Sequence, residues 1–118
     1  MKINNVLAGV AIADMETAVA WYEQLLGQPP TARPMPILAE WHFEAGHLQL
    51  VHDPERAGAS LLTLDVNHLE DIVAQIADSG LVPRALPITQ GDTVRFAQII
   101  DPDGNTITLV ESPPHQSA

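Results

Sequence analysis

Larger apolar side chains recur at every second position in two stretches, at Val10 and Ile12 within 6–13 and at Leu64 and Val66 within 60–66. That period suits a strand with one buried face. Each stretch leads into a segment whose apolar residues recur every three or four positions, the period of a half-buried helix. In the first segment Ala18, Val19, Tyr22 and Leu26 form the stripe. Asp14 stands where a carboxylate can accept from the free amides of a first turn, and Gly27 where the chain must leave the helix. The spacing predicts a helix over 15–26. In the second segment Leu69, Ile72, Val73 and Ile76 form the stripe, with Asn67 or His68 as cap, Glu70 placed for a capping box and Gly80 as the stop. This predicts a helix over 68–79. Three short strands follow each helix: 32–35, 37–43 and 47–52, then 84–88, 94–100 and 105–111. Glu44-Ala45-Gly46 reads as the loop of one hairpin and Asp101-Pro102-Asp103-Gly104-Asn105 as that of another. Prolines at 29, 30, 34 and 36 make the first hairpin strand irregular.

The order strand, helix, three strands occurs twice, and the residues repeat with it. Val10 aligns with Leu64, Ile12 with Val66, Glu16 with Glu70 and Val19 with Val73. The closing segments match as well: Leu48-Gln49-Leu50-Val51-His52-Asp53-Pro54 runs against Ile107-Thr108-Leu109-Val110-Glu111-Ser112-Pro113. The expected organisation is one domain of two modules, 3–54 and 59–113, joined by a turn-rich linker over 53–58. A tail, 114–118, carries no core pattern and is expected to be mobile.

Three features together carry a resemblance. They are Asp14…Trp21-Tyr22…Leu26-Gly27, the closing Asp101-Pro102-Asp103-Gly104-Asn105…Leu109-Val110-Glu111, and the doubled module. They resemble the vicinal-oxygen-chelate superfamily of glyoxalases, extradiol dioxygenases, fosfomycin-resistance transferases and bleomycin-resistance binding proteins. The resemblance covers the chain up to Pro113. It implies an α+β fold of two tandem βαβββ modules, with curled sheets forming a concave cavity and helices on the outer face.

Enzymes of that superfamily hold a divalent metal on four equivalent strand positions, usually His or Glu/Gln. Carried onto this chain, those positions are Leu7, Gln49, Leu61 and Thr108. Leucine has no donor atom, and one amide oxygen with one hydroxyl is a poor set for Zn²⁺ or Fe²⁺. The family's metal site is therefore expected to be absent, and no cofactor is expected. His42, Glu44, His47 and His52 surround the first hairpin. Alternation places His42 and Glu44 opposite Trp41 and Phe43, so the set is not expected to converge on the cavity. His68, at a helix start, reads as solvent-facing. The 101–105 loop superficially resembles a calcium loop, but its glycine falls too early and Ser112 stands in place of the closing glutamate.

Alternation sorts the strands into two faces. Val10, Ile12, Leu48, Leu50, Leu64, Val66, Ile107 and Leu109 are expected to face the helices. The cavity is expected to receive Leu7, Gly9, Trp41, Phe43, His47, Gln49, Val51, Leu61, Thr63, Gln98 and Thr108. A three-residue loop over 44–46 sets Trp41 across from Gln49 and Phe43 across from His47. The candidate ligand-binding residues are Leu7, Trp41, Phe43, His47, Gln49, Leu61, Thr63, Gln98 and Thr108. Such a lining of apolar walls, aromatic plates and neutral hydrogen-bonding groups suits a small organic ligand.

Charge and composition narrow the function classes. Asp and Glu number 15 against 5 Lys and Arg, a formal charge of −10, which disfavours polyphosphate and anionic membranes and favours a cationic ligand. Apolar residues make up 46 %, which excludes a disordered acidic tail. The absence of cysteine excludes disulfides and thiolate chemistry. No stretch resembles a secretion signal, and the apolar run 6–13 is far below the ~20 residues of a membrane span. No nucleophile elbow, zincin, P-loop or dinucleotide motif occurs. The expected protein is a metal-free, cytoplasmic small-molecule binder of the bleomycin-resistance kind, without nucleic-acid or membrane partners, and the resemblance implies a homodimer with pockets between modules or between subunits. An enzyme of the glyoxalase or dioxygenase kind, with His47 as general base, is the alternative. A third reading, a structural or partner-binding domain, expects a pocket closed by its own side chains.

Overall fold

The computed structural model describes residues 1–82 and 84–111. The elements run β1 (Leu7–Ile12), α1 (Met15–Leu26), β2 (Ala32–Met35), β3 (Leu38–Phe43), β4 (Gly46–His52), β5 (Leu61–Asp65), α2 (Leu69–Ser79), β6 (Thr89–Gln90), β7 (Arg95–Ile100) and β8 (Thr106–Glu111). They form two four-stranded sheets, ordered β1-β4-β3-β2 and β5-β8-β7-β6. The chain is thus α+β, with the βαβββ module present twice. The expected tail over 114–118 lies outside the described residues.

In the first sheet β1 runs parallel to β4, with Leu7 beside His47 and Gly9 beside Gln49. Parallel neighbours need a long crossover, which α1, β2 and β3 supply. The apolar side of this sheet carries Val10, Ile12, Ala39, Trp41, Leu48 and Leu50, all buried, as are Ala18 and Tyr22 of α1. The helix starts as the sequence predicts: the Asp14 carboxylate accepts from the Thr17 amide at 2.9 Å. That bond, from the backbone of Thr17, holds the Asp14 carboxyl below its ordinary range. Gly27 ends the helix at φ 76°, a left-handed conformation that glycine adopts at little cost.

The second module departs from expectation at two points. Residues 84–88 form no strand; β6 is the two residues Thr89 and Gln90, paired with Phe96 and Arg95. Pro87 has no amide to give a ladder, which confines pairing to the residues after it. The start of α2 is capped from elsewhere in the fold rather than locally. His68 sits at φ 58°, ψ 53° and makes no side-chain cap. Instead the Leu69 amide donates to Glu111 Oε2 of β8 at 2.9 Å. Glu70, expected in a capping box, accepts from Arg95 at 2.7 Å, and Arg95 also binds Glu111. The buried side chains of this module include Leu69, Val73, Ile76, Ala97, Ile99, Ile107 and Leu109.

The chain forms two compact units, Met1–Leu62 with Ile100–Thr106, and Thr63–Ile99 with the residues from Ile107. The 101–105 loop, though it joins two strands of the second module, belongs to the first unit. Its polar side chains explain why. Asn105 Oδ1 accepts from the Gly58 and Ser60 amides, both at 2.9 Å, while Nδ2 donates to the Ala11 carbonyl and Asp101 Oδ2, both at 2.8 Å. The Tyr22 hydroxyl donates to Asp101 Oδ2 at 2.7 Å. Asp103 Oδ1 accepts from the Ala13 amide at 3.3 Å. The loop therefore does more than turn the chain: it is bonded to β1, to α1 and to the linker. Gly58 is required there, since its φ is 98° and a Cβ would lie 2.7 Å from the Asp103 carbonyl oxygen.

Candidate functional site

The side of the first sheet opposite Trp41 carries the polar side chains. A single residue of register decides this. The β3–β4 hairpin closes on a two-residue turn, Glu44 and Ala45, with Phe43 paired to Gly46, so the expected three-residue loop does not form. Consequently Trp41 faces Leu48, His42 faces His47 and Glu40 faces Gln49. A one-residue slip moves every side chain of a strand to the other face.

Trp41 and Phe43 therefore leave the candidate ligand face. Trp41 is fully buried; its indole Nε1 donates to the Gln28 carbonyl at 2.9 Å, and its ring lies 6.4 Å from that of Tyr22. It is a core residue with a satisfied polar handle. Phe43 shares its side of β3 and is half-buried. Leu7, His47 and Gln49 do meet on the open face, where Leu7 is 44 % exposed. Gly9 lies between them and beside Gln49, and the space where its Cβ would project is open.

Nothing in the sequence singles out Glu40 by itself, and a three-residue loop would turn His42 away. Both sit on this face, where Gln49, Glu40 and His42 are joined by hydrogen bonds and His47 stacks on His42. Gln49 Nε2 donates to Glu40 Oε2 at 2.7 Å, and His42 Nε2 lies 3.0 Å from Glu40 Oε1. The His42 and His47 rings stack at 3.9 Å with 10° between their planes. The hydrogen bond from His42, then that from Gln49, holds the Glu40 carboxyl below its ordinary range. Glu40 is nearly covered, its side chain 13 % exposed, whereas His42 is 35 % exposed. The legible signal was the pair of i, i+2 spacings, Glu40-x-His42 and His47-x-Gln49, either side of a hairpin turn. Only the turn length was needed to bring them face to face.

The other four candidates belong to the second sheet. Leu61 is 84 % exposed, and Thr63 and Gln98 are exposed. Gln98 Nε2 donates to Thr108 Oγ1 at 3.2 Å, joining those two.

A family model described as the Glyoxalase/Bleomycin resistance protein/Dioxygenase superfamily matches residues 2–109. The chain belongs to that superfamily. Among solved structures it is similar to a glyoxalase/bleomycin resistance protein from Catenulispora acidiphila, at 35 % identity and TM-score 0.76, covering 92 % of this chain and 98 % of that one. An antibiotic binding protein from a Streptomyces species shares the fold at TM-score 0.78 and 24 % identity, covering 96 % and 99 %. A bleomycin resistance determinant encoded on a transposon shares it at TM-score 0.72 and 18 % identity, covering 95 % and 100 %. No curated protein matches.

The metal positions that this superfamily's enzymes use do not fit an ion here. Leu7 and Leu61 offer hydrocarbon only. The Gln49 amide and the Thr108 hydroxyl offer one neutral oxygen each. Two leucines and two neutral oxygens are too poor a donor set for a hard or borderline cation. Among the described residues no helix is long and apolar enough to cross a membrane.

Proposed function

We propose that the protein is a small-molecule-binding member of its superfamily, a cytoplasmic homodimer that sequesters a cationic or aromatic organic ligand without altering it. One observation carries this reading. The open face of the first sheet gathers His47, Gln49 and Glu40 beside an exposed Leu7 and an unfilled space over Gly9, rather than closing over with large side chains. Apolar surface with a few fixed polar groups is what an organic ligand needs. A carboxylate on that face and a formal charge of −10 favour a cation and speed its capture. The bleomycin resistance and antibiotic binding proteins that share the fold point the same way.

The reading is tested by ligand-observed NMR with a panel of cationic and planar aromatic compounds, run in the presence of a chelator. A binder whose affinity falls roughly tenfold or more in both Gln49→Ala and Gly9→Val supports it. Binding that ignores both substitutions, or no binder in the panel, overturns it. Turnover of a panel compound that is lost in His47→Ala would instead favour the glyoxalase-like alternative, for which the imidazole pair beside Glu40 is the supporting feature.

A further inference from the structure

We propose that Glu40, His42 and His47 bind a divalent transition-metal ion of the zinc class on the open side of the β3–β4 hairpin. These three are the one group among the described residues whose His and carboxylate donor atoms come together, all lying within 4.8 Å of one another. Two imidazoles and one carboxylate suit zinc and its neighbours, and three protein donors leave a coordination position open. Bonds of ~2.0–2.2 Å at the tetrahedral angle place donor atoms roughly 3.3 Å apart. One spacing, 3.0 Å between His42 Nε2 and Glu40 Oε1, is close to that value, and no pair of donors is more than 4.8 Å apart.

The surroundings are arranged for an ion as well. Gln49 binds Oε2 of Glu40 and leaves Oε1 turned toward the imidazoles. A hydrogen bond to the distal oxygen of a ligating carboxylate orients it. His42 and His47 are cross-strand partners, so the ladder fixes their backbones. Their stacked planes cannot both contain one ion, and binding must turn an imidazole about its Cβ–Cγ bond. That torsion is broad in histidine, and the exposure of His42 leaves room for it. His42 Nε2 and Glu40 Oε1 lie within hydrogen-bond reach of each other, and the ion replaces that contact. Of the four positions the superfamily's enzymes use, Leu7, Leu61 and Thr108 take no part and Gln49 acts only through Glu40, so this site's ligand set is a different one. Nor does it depend on the organic ligand: either proposal can fail while the other stands.

The test is calorimetric titration of the untagged full chain with zinc chloride after chelator treatment. Wild-type protein is expected to bind one ion per chain with micromolar or tighter affinity. His42→Ala and His47→Ala are each expected to weaken binding roughly tenfold or more, and Glu40→Gln to weaken it severalfold. A variant replacing the other three histidines, His52, His68 and His115, by alanine is expected to bind as wild type. No saturable binding, or isotherms unchanged by His42→Ala and His47→Ala, would overturn the proposal. Cobalt(II) absorption of the wild-type protein decides independently of whether the variants fold. Intense visible bands of a four- or five-coordinate ion support the site, and a weak aqua-like spectrum overturns it.

Discussion

Two polar clusters lie in the first compact unit, and they are built to opposite ends. In the Tyr22–Asp101–Asn105 cluster the residues are 0 %, 4 % and 1 % exposed. Asp101 accepts from the Tyr22 hydroxyl, the Asp103 and Asn105 amides and the Asn105 side chain, and Asn105 uses both donors and both acceptor sites of its own amide. Burial first, and then the bond to Asp101, pushes the Tyr22 phenol far above its ordinary range, so it stays a donor. In the Glu40–His42–His47–Gln49 cluster Glu40 is nearly covered but His42 is 35 % exposed. Gln49, Glu40 and His42 bond in a single line with His47 stacked at its end, and ring nitrogens are left over for a guest. A saturated buried cluster holds the chain together because breaking it strands desolvated groups. An open cluster contributes little to stability and keeps its bonding capacity for something else.

The contrast can be broken at the buried end first. Asn105→Ala orphans the Ala11 carbonyl and the Gly58 and Ser60 amides at once, and is expected to cost about 3 kcal/mol or more of unfolding free energy in denaturant titration. Tyr22→Phe keeps the ring and removes only the donor to Asp101, so a loss of ~1–2 kcal/mol is expected by the same measurement. At the open end, His42→Ala and His47→Ala are expected to change stability by no more than ~0.5 kcal/mol. A large loss there would show that the open cluster is structural after all.

A subtler effect concerns the pairing that caps α2. Arg95 first, and then the Leu69 amide, hold the Glu111 carboxyl below its ordinary range. Its folded value is below its unfolded one, so its stabilisation is complete above the ordinary glutamate value of ~4.3 and is lost as pH falls through the folded value. The wild-type melting temperature should therefore decline more steeply with acidification in that window than that of Glu111→Gln. Parallel curves would show that the pairing contributes nothing.

Much of the fold was legible residue by residue. Asp14 and Gly27 bracket α1 where their local chemistry places them, and Gly80 ends α2. The duplicated module is visible in the matched apolar positions. Leu7, His47 and Gln49 share a face, as alternation along β1 and β4 requires. Glu40 and His42 were hidden by one residue in the length of a turn, because either a two- or a three-residue connection satisfies the same local sequence. The Asp101-Pro102-Asp103-Gly104-Asn105 loop reads locally as turn chemistry; its partners Tyr22, Ala11 and Gly58 are remote in sequence, and nothing in the loop names them.

The division follows the range of the forces involved. Periodicity, capping by Asp14 and the glycine stops act within a turn or two of chain, so the sequence alone determines the helices, most strands and their repetition. Three features were decided only by tertiary structure: the hairpin register, the closing of α2 by Glu111 and the anchoring of the second module's loop. Each depends on which remote group meets a strand or an unpaired amide, and that is settled when the whole unit packs.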